Sequence, residues 1–476
     1  MRKVLLYIIF LLSLHYSSYA KEETLFRLEP VIMTNGLGKD LRFYVSPNIE
    51  EKNLINLVDK FKEMKFNYII FYDMMPDYGV PYSEKNLWFH PRNTFYKLKG
   101  LKEDIVISKD KIKLLVNLLH KYKIKAIYYD EICSKDKEFN MYSPVEYPES
   151  YKYYSLPYFF TKKDFNRYKV ISLYGKEYGN DANLFLIKET YIANLKKIVD
   201  EIKFDGIFLD SLGWLCELSS FGHTYKGTKI DKSPDSICSD FISEIKKVIG
   251  KDFLIFGNFG FYVDPNKVFS NTKKLIDYWV VEFPSLELIK KTEIYPKTFS
   301  DLSKVFNSGF YDIVIYQPFF NMSDPKNYEY LIAIAAINGV GVYHKNDYLG
   351  IKVLQEIISK YNNFIFSNKQ LFGRYKSCEE IILNKHPDIL VNCIDIGKSL
   401  VINILTVEPN SYIWEPKTIH SKIEMSLSES FCRKNITVLN PENLDINISK
   451  KLYKNTCKIE INFPESTTWI VVEVKK

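Results

Sequence analysis

The sequence predicts an α/β fold, a (β/α)8 barrel followed by a small C-terminal antiparallel β-sandwich. Three observations lead to this fold class. Short apolar runs of strand type alternate with amphipathic helical segments over roughly the first 370 residues, the pattern of a parallel sheet with crossover helices. The alternation yields eight strands, and right-handed crossovers make a closed barrel their simplest arrangement. Beyond about residue 375 the helical period disappears and only short strands follow.

The predicted barrel elements follow one another in a regular order. Segment 52–65 is a helix, because Leu54, Leu57 and Phe61 recur at helical spacing. A loop over 131–180, rich in Tyr and Pro, is long enough to predict an excursion toward substrate. A doubly wound open sheet is the alternative, but no Gly-rich phosphate loop follows the first strand. The predicted strands are residues 41–45, 67–72, 125–129, 206–209, 253–257, 278–281, 312–316 and 339–342.

The first twenty residues have the form of a signal peptide. Arg2 and Lys3 precede an apolar run over 4–14, and the small residues Ser18 and Ala20 offer a cleavage site. The run is too short to span a bilayer and no later segment supplies a span, so we expect a secreted or periplasmic protein. The predicted domains are the signal peptide 1–20, a lead-in segment 21–40, the barrel 41–372 and the β-sandwich 373–476.

Composition narrows the class of protein and of partner. Hydrophobic residues make up 46% of the chain and charged residues 26%, so a large core is expected. The net charge of +7 is small for 476 residues and no basic run is interleaved with aromatics, so no nucleic-acid partner is expected. We expect a monomer whose partner is an oligosaccharide or polysaccharide.

The seven Cys bear on metals and on export. No CxxC pair exists, which argues against a zinc site. Four Cys lie in the last hundred residues, and after export they could form one or two disulfides. No cofactor is predicted, although a structural Ca2+ stays open because loop carboxylates would leave no clear signature.

Two carboxylates follow apolar strands in the same manner. Asp210 comes directly after Ile207–Leu209, and Glu282 comes directly after Trp279–Val281. The chemistry of such barrels lies where strands end and loops begin. Glycosidic bond cleavage needs two carboxyl groups, one that attacks or stabilises the anomeric carbon and one that holds a proton. The apolar surroundings of Glu282 favour its protonated form, so Asp210 and Glu282 are the predicted catalytic pair. The alternative for Asp210 is a helix cap or an ion pair with Lys.

Further polar and aromatic residues at strand ends are candidates for substrate binding. For Asp73 and Asp130 the alternative is structural pairing. For His344 it is a hydrogen-bonded position on the barrel rim, and for Trp88 and Trp214 it is burial in the core. Asp205 lies at the opposite end of its strand, where a folding role is expected. The predicted substrate-binding residues are Tyr72, Asp73, Tyr129, Asp130, Asn258, Tyr316, His344, Trp88 and Trp214.

The order of these motifs resembles glycoside hydrolase family 66, the dextranases and cycloisomaltooligosaccharide glucanotransferases, over about residues 40–375. The resemblance implies Asp210 as nucleophile and Glu282 as general acid/base of a retaining enzyme acting on α-1,6-linked glucan. It also implies a barrel followed by a β-sandwich. The stretches that carry it are NYIIFYD at 67–73, HKYKIKAIYYD at 120–130, FDGIFLDSLG at 204–213, GNFGFY at 257–262, DYWVVEFP at 277–284 and AAINGVGVYH at 335–344.

Three departures from the family pattern are present. The N-terminal immunoglobulin-like domain of the family is not expected here, since only about twenty mature residues precede the first predicted strand. Met74–Tyr78 stands where the family has Trp and an Arg-His pair, and Val342–Lys345 stands where the family has a His-containing turn with an acidic residue. These last two departures leave the substrate open. The alternatives are therefore a barrel hydrolase of another α-linked glycan and a surface glycan-binding protein without catalysis. The intact carboxylate pair argues against the second.

Overall fold

The strands and helices below come from a computed structural model of the chain. It describes residues 24–28, 31–33, 41–43, 45–76, 81–90, 104–135, 168–170, 188–210, 212–213, 233–258, 270–282, 313–316, 329, 332–333, 336, 341–344, 352–372, 376–377, 383, 389–406, 422–462 and 469–475. The strands are β1 Thr24–Leu28, β2 Val31–Met33, β3 Leu41–Phe43, β4 Tyr68–Phe71, β5 Leu87–Phe89, β6 Val106–Ser108, β7 Lys125–Glu131, β8 Cys133–Lys135, β9 Tyr168–Val170, β10 Gly206–Asp210, β11 Leu254–Asn258, β12 Tyr278–Glu282, β13 Ile313–Tyr316, β14 Gly341–His344, β15 Lys376–Ser377, β16 Ile389–Asp395, β17 Ser399–Thr406, β18 Lys422–Ser428, β19 Ile436–Leu439, β20 Ile448–Tyr453, β21 Thr456–Asn462 and β22 Trp469–Lys475. The helices are α1 Glu51–Glu63, α2 Lys109–Lys121, α3 Lys188–Ile202, α4 Pro234–Ile249 and α5 Lys352–Ser367. None of these described helices is long and apolar enough to cross a membrane.

Eight of the strands form one closed sheet. The order around it is β1, β4, β7, β10, β11, β12, β13 and β14, and β14 pairs back to β1. Each neighbouring pair is parallel. The helices α1 to α4 each connect two strands that are neighbours in this order, as crossover connections do. All eight carboxyl ends therefore lie at the same end of the barrel.

The first barrel strand is not the predicted one, and this corrects the sequence analysis. Residues 41–45 were expected to open the barrel, but Leu41–Phe43 pairs antiparallel with Val31–Met33 in a separate two-stranded sheet. Thr24–Leu28 instead pairs with both β14 and β4. The segment 21–40, expected to be a lead-in, thus contains a barrel strand. Two short runs of similar composition cannot be told apart locally, because the choice depends on pairing with distant strands.

The other seven predicted strands agree with the observed bounds to within two residues at each end. Aromatic side chains fill the barrel between them. Tyr68 on β4, Phe256 on β11 and Tyr278 on β12 form one layer, with ring centroids 4.3–5.5 Å apart. The hydroxyl groups of Tyr68 and Tyr278 are 2.9 Å apart across the interior. These residues alternate along their strands with side chains that face the helices, which defines the inward set of each strand.

At the amino ends of the strands, aspartates hold neighbouring strands and helices together. The Asp205 carboxylate accepts the backbone N–H of Ala126 at 2.8 Å and lies 2.8 Å from His120 Nε2 on α2. Asp277 repeats this arrangement before β12, accepting a backbone N–H from β11 and Lys246 Nζ of α4, both at 2.8 Å. The expected folding role of Asp205 agrees with these contacts.

Strands β15 to β22 form two antiparallel sheets. The larger has the order β15, β16, β17, β22 and β19, and the smaller has the order β18, β21 and β20. Buried residues of both sheets share one apolar cluster, and Cys432 is disulfide-bonded to Cys457 beside it. On the opposite face of the larger sheet, Trp469 packs against Tyr361 and Phe364 of α5. The C-terminal sheets are thereby anchored to the barrel.

Candidate active site

The carboxyl ends of the barrel strands place the two predicted catalytic residues at one edge. Asp210 is the last residue of β10 and Glu282 is the last residue of β12, with β11 between them. Asp210 is in register with Glu131 on one side, and Glu282 is in register with Tyr316 on the other. Parallel pairing keeps these ends level, so both positions border the mouth of the barrel.

The Asp210 carboxylate is held by donors from both neighbouring strands. The Tyr129 hydroxyl of β7 donates to Oδ2 in a short hydrogen bond. Asn258 Nδ2 of β11 donates to Oδ1 at 2.7 Å. The two bonds together fix the orientation of the carboxylate at the end of β10. An oriented, half-buried carboxylate at this position is suited to attack an electrophilic carbon.

Tyr129 is fully buried and keeps its proton. Burial raises the pKa of the Tyr129 phenol well above its usual value, and the charges of Asp210, Glu131 and Asp73 raise it further, as does Tyr72. A phenol that stays protonated can only be a hydrogen-bond donor toward a neighbouring carboxylate. The structure therefore places Tyr129, predicted as a substrate-binding residue, directly against the predicted nucleophile.

The carboxylate beside Asp210 on β7 is Glu131, which the sequence analysis did not select. Side chains alternate along a strand, so Tyr129 and Glu131 share the inner face while Asp130 points to the other. Consistently, Asp130 raises the pKa of the Tyr128 and Tyr191 phenols, both buried, after burial itself as the largest cause. Tyr191 belongs to α3, so Asp130 lies toward the helix layer, away from Asp210. The register of β7 with β10 is the signal that could have selected Glu131.

The end of β4 completes this side of the mouth. The Tyr72 ring packs against the Tyr129 ring, with centroids 4.2 Å apart. Asp73 follows with a positive φ of 53°, a left-handed conformation that Asp tolerates better than most residues. Its side chain is fully buried. Tyr72, Asp73 and Asn258 thus surround the Tyr129–Asp210 pair, in agreement with their predicted place at strand ends.

For three of the remaining predicted site residues, the described structure gives a position on a strand. Trp88 lies on β5, half-buried against the main core, between the exposed side chains of Leu87 and Phe89. Tyr316 and His344 are the last residues of β13 and β14. Trp214 lies outside the described residues. Their contact with substrate stays a prediction.

Comparison with known proteins gives a family match and a set of similar folds. A family model described as glycosyl hydrolase family 66 matches residues 44–304, more than half of the chain and a range that contains both Asp210 and Glu282. No curated protein sequence matches the chain.

Three solved structures of carbohydrate-active enzymes are similar in fold. A cycloisomaltooligosaccharide glucanotransferase from Paenibacillus sp., complexed with cycloisomaltoheptaose, has a TM-score of 0.63 at 10% identity, covering 96% of this chain and 85% of that one. An α-amylase from Geobacillus thermoleovorans has a TM-score of 0.56 at 13% identity, covering 96% and 99%. A maltogenic α-amylase from Thermotoga neapolitana has a TM-score of 0.53 at 12% identity, with the same coverage. At these identities the likeness shows the fold alone.

Proposed function

The chain belongs to glycosyl hydrolase family 66 and is a glycoside hydrolase; on this premise we propose that it cleaves α-linked glucan by a retaining mechanism. Dextran-like α-1,6 linkages are the proposed substrate. Asp210 is the proposed nucleophile and Glu282 the proposed general acid/base. The observation that carries the proposal is the Asp210 carboxylate at the end of β10, oriented by Tyr129 and Asn258.

The first half-reaction joins Asp210 to the sugar. A carboxylate oxygen of Asp210 forms a bond to the anomeric carbon as the glycosidic C–O bond breaks, and the leaving oxygen takes a proton from the Glu282 carboxyl. In the second half-reaction, water attacks the anomeric carbon and gives its proton to Glu282. The bond between the anomeric carbon and Asp210 breaks as the bond to water forms, so both carboxyl groups return to their starting states and the anomeric configuration is retained.

The substrate assignment has support and one opposing observation. The solved structure with cycloisomaltoheptaose is a family relative that binds an α-glucan, and it supports the same class of substrate here. Met74 and Met75, however, stand where the family has Trp and an Arg-His pair, and both are buried in the core. Side chains so buried offer a glycan neither stacking nor hydrogen bonds. This observation favours a second candidate, a hydrolase of another α-linked glycan.

The other predicted binding residues complete the proposal. Tyr72, Asn258, Tyr316 and His344 stand at strand ends around the mouth, where sugar hydroxyl groups would need donors and acceptors. Trp88 and Trp214 are proposed as stacking surfaces for sugar rings. The substrate is an oligosaccharide or polysaccharide, and the enzyme is proposed to act as a monomer.

Architecture and export form a further part of the proposal. We infer a complete (β/α)8 barrel followed by a β-sandwich, supported by the closed strand order and the apolar cluster shared by the two C-terminal sheets. Secretion or periplasmic location is supported by the signal-peptide form of residues 1–20 and by the Cys432–Cys457 disulfide. Disulfides persist in oxidising compartments and are rare elsewhere.

A panel assay tests the proposal. The full mature chain, Asp210→Asn and Glu282→Gln are incubated with dextran, other α-glucans and α-linked galactosamine polymers, and products are followed by NMR. We expect α-configured products from dextran with the wild type and loss of turnover in both variants. Matched controls are Asp200→Asn and Glu356→Gln, exposed residues paired with Lys196 and Lys352 on helix surfaces.

Each other outcome of the assay contradicts a specific part of the proposal. Turnover of a different α-linked polymer overturns the dextran assignment and keeps the retaining pair. Inverted products overturn the nucleophile role of Asp210. Glycan binding with no turnover by the wild type makes the protein a binding module.

A further inference from the structure

One buried phenol lies between two carboxylates at the barrel mouth. The Tyr129 hydroxyl donates to Asp210 Oδ2 and is 3.4 Å from Glu131 Oε2. A hydroxyl has one hydrogen, so it can make one strong bond to a carboxylate at a time. The Tyr129 hydroxyl donates this hydrogen to Asp210, and Glu131 Oε2 is another acceptor within reach.

We propose that Glu131 is a positioning residue for Asp210 and acts through the shared Tyr129 hydroxyl. The hydroxyl donates to Asp210 while that carboxylate is ionised, and turns to Glu131 when Asp210 is bonded to the sugar. No covalent bond of Tyr129 or Glu131 changes; only the hydroxyl torsion moves. This inference rests on the proposed nucleophile role of Asp210 and adds a residue that neither the sequence analysis nor the family match assigns.

The direction of the switch follows from charge. An ionised carboxylate accepts a hydrogen bond roughly twice as strong as a neutral oxygen does. Before reaction the Tyr129 hydroxyl donates to the Asp210 carboxylate, while Glu131 Oε2 lies 3.4 Å from the same hydroxyl. Once Asp210 becomes an ester its charge is gone, so Glu131 becomes the stronger acceptor of the two. A buried phenol that loses its partner incurs a desolvation penalty, and Glu131 removes that penalty.

Packing confines the change to the hydroxyl. The Tyr129 ring lies between Tyr72 at 4.2 Å and Phe208 at 5.4 Å, measured between ring centroids, so the ring itself is held. Glu131 is only 6% exposed and is in register with Asp210 on the neighbouring strand. Glu131 and Asp210 therefore lie at the same level on the inner face of neighbouring strands.

The electrostatic surroundings define what a test must separate. Within the described part of the chain, the groups that face the Tyr129–Asp210 pair include Glu131 on β7 itself, Tyr72 and Asp73 at the end of β4, and Asn258 on β11. Of these, Glu131 and Asp73 are carboxyl groups. A role of Glu131 through the phenol therefore differs from simple charge repulsion in one respect: it depends on the presence of the Tyr129 hydroxyl.

A double-mutant cycle makes that dependence measurable. Tyr129→Phe, Glu131→Gln and the double variant are prepared in the full chain with 13C-labelled aspartate side chains, and Asp210→Asn assigns the Asp210 resonance. We expect Glu131→Gln to move the Asp210 titration midpoint to lower pH and Tyr129→Phe to move it to higher pH. In the Phe background the effect of Glu131→Gln falls to less than half. Equal effects in both backgrounds overturn the proposal.

Kinetics provide the second readout and the control. The substrate is the glycan that the wild type turns over in the panel assay. We expect Tyr129→Phe and Glu131→Gln each to lower kcat/KM on it by about ten- to a hundredfold, with little further loss in the double variant. Tyr128→Phe is the matched control, since its hydroxyl faces the Pro81 carbonyl at 3.5 Å and is expected to leave both readouts at wild-type values. If the losses in the two single variants add up in the double variant, the proposal that Glu131 acts through the Tyr129 hydroxyl is overturned.

The two readouts also separate this inference from the proposed function. If the Asp210 titration depends on both Glu131 and the Tyr129 hydroxyl but no glycan is turned over, the proposed function is contradicted and the positioning role of Glu131 stands. If a glycan is turned over but the two substitutions act independently, the positioning role is contradicted and the proposed function stands.

Discussion

Asp205 and Asp210 lie at opposite ends of the same strand and have opposite kinds of partner. Asp205 accepts a backbone N–H and contacts His120 of a helix, so it ties the sheet to the helix layer. Asp210 accepts from the side chains of Tyr129 and Asn258, both inside the barrel, and no helix takes part in these two bonds. The same side chain therefore serves stability at the amino end and chemistry at the carboxyl end. Position on the strand, not residue type, decides which.

The largest contrast is expected in turnover. Asp210→Asn preserves shape but removes the nucleophilic charge, so we expect kcat to fall at least about 10^4-fold while the melting temperature changes little. Steady-state assays and thermal unfolding of the same preparation check this. Residual activity within tenfold of wild type would remove Asp210 from the mechanism.

A second effect is expected from the donor on β11. Asn258→Ala removes the amide that orients Asp210 Oδ1 and is expected to lower kcat about 10^2-fold, the order of loss seen when one positioned donor is deleted. The control is Asn363→Ala, whose amide lies on the exposed face of α5 and bonds Ser359. An Asn258→Ala variant that binds substrate weakly but keeps kcat would assign Asn258 to substrate binding instead.

At the amino end the loss is expected in stability alone. Asp205→Ala removes a charged acceptor of a backbone N–H, so the free energy of unfolding is expected to fall by about 1–3 kcal/mol. Urea unfolding measures it, and kcat per folded molecule should stay at the wild-type value. Asp277→Ala, the equivalent residue two strands on, should give a similar loss. A kcat defect in either variant would break the division between the two ends.

The smallest effect is expected for Glu442, a partly buried carboxyl group that lies at neither end of a barrel strand. Glu442 of the C-terminal region accepts from Tyr361 at 3.0 Å and lies 3.6 Å from Lys360. Burial is the largest influence on it and raises the pKa of Glu442, which Lys360 partly offsets. The folded state thus holds this proton more tightly than the unfolded state, and the stability Glu442 contributes is lost as pH rises from about 4.5 through the folded pKa.

Glu442→Gln should therefore flatten the decline of unfolding free energy over that window, by less than about 1 kcal/mol. Chemical unfolding at a series of pH values, with wild type alongside, gives the comparison. A steeper decline in the variant would mean that the ion pair with Lys360 outweighs the burial of the carboxyl group.

Much of the fold and part of the site follow from local sequence pattern. Seven of the eight barrel strands were predicted to within two residues, because a buried parallel strand is a short apolar run bounded by helices with their own period. Asp210 was predicted at a strand end for the same reason. The failures share a different cause. Residues 41–45 and 24–28 have comparable local patterns, and only pairing with β14 and β4 selects the second.

The choice between Asp130 and Glu131 shows the same limit inside the site. Both follow Tyr129, and the sequence offers no reason to prefer one until the inward face of β7 is known. That face is set by the register with β10, in which Glu131 is level with Asp210. Side-chain alternation then sends Asp130 to the helix layer.

The sequence by itself determined the alternation of strands and helices and the aspartate at the end of β10, since each is a pattern within a few neighbouring residues. It also determined the family, through motifs that follow one another in order along the chain. Only the tertiary structure decided which strand closes the barrel, and that Tyr129 and Asn258 converge on that aspartate. Those features depend on hydrogen bonds between strands far apart in the chain. Register across such strands is a property of the whole sheet, and no single segment encodes it.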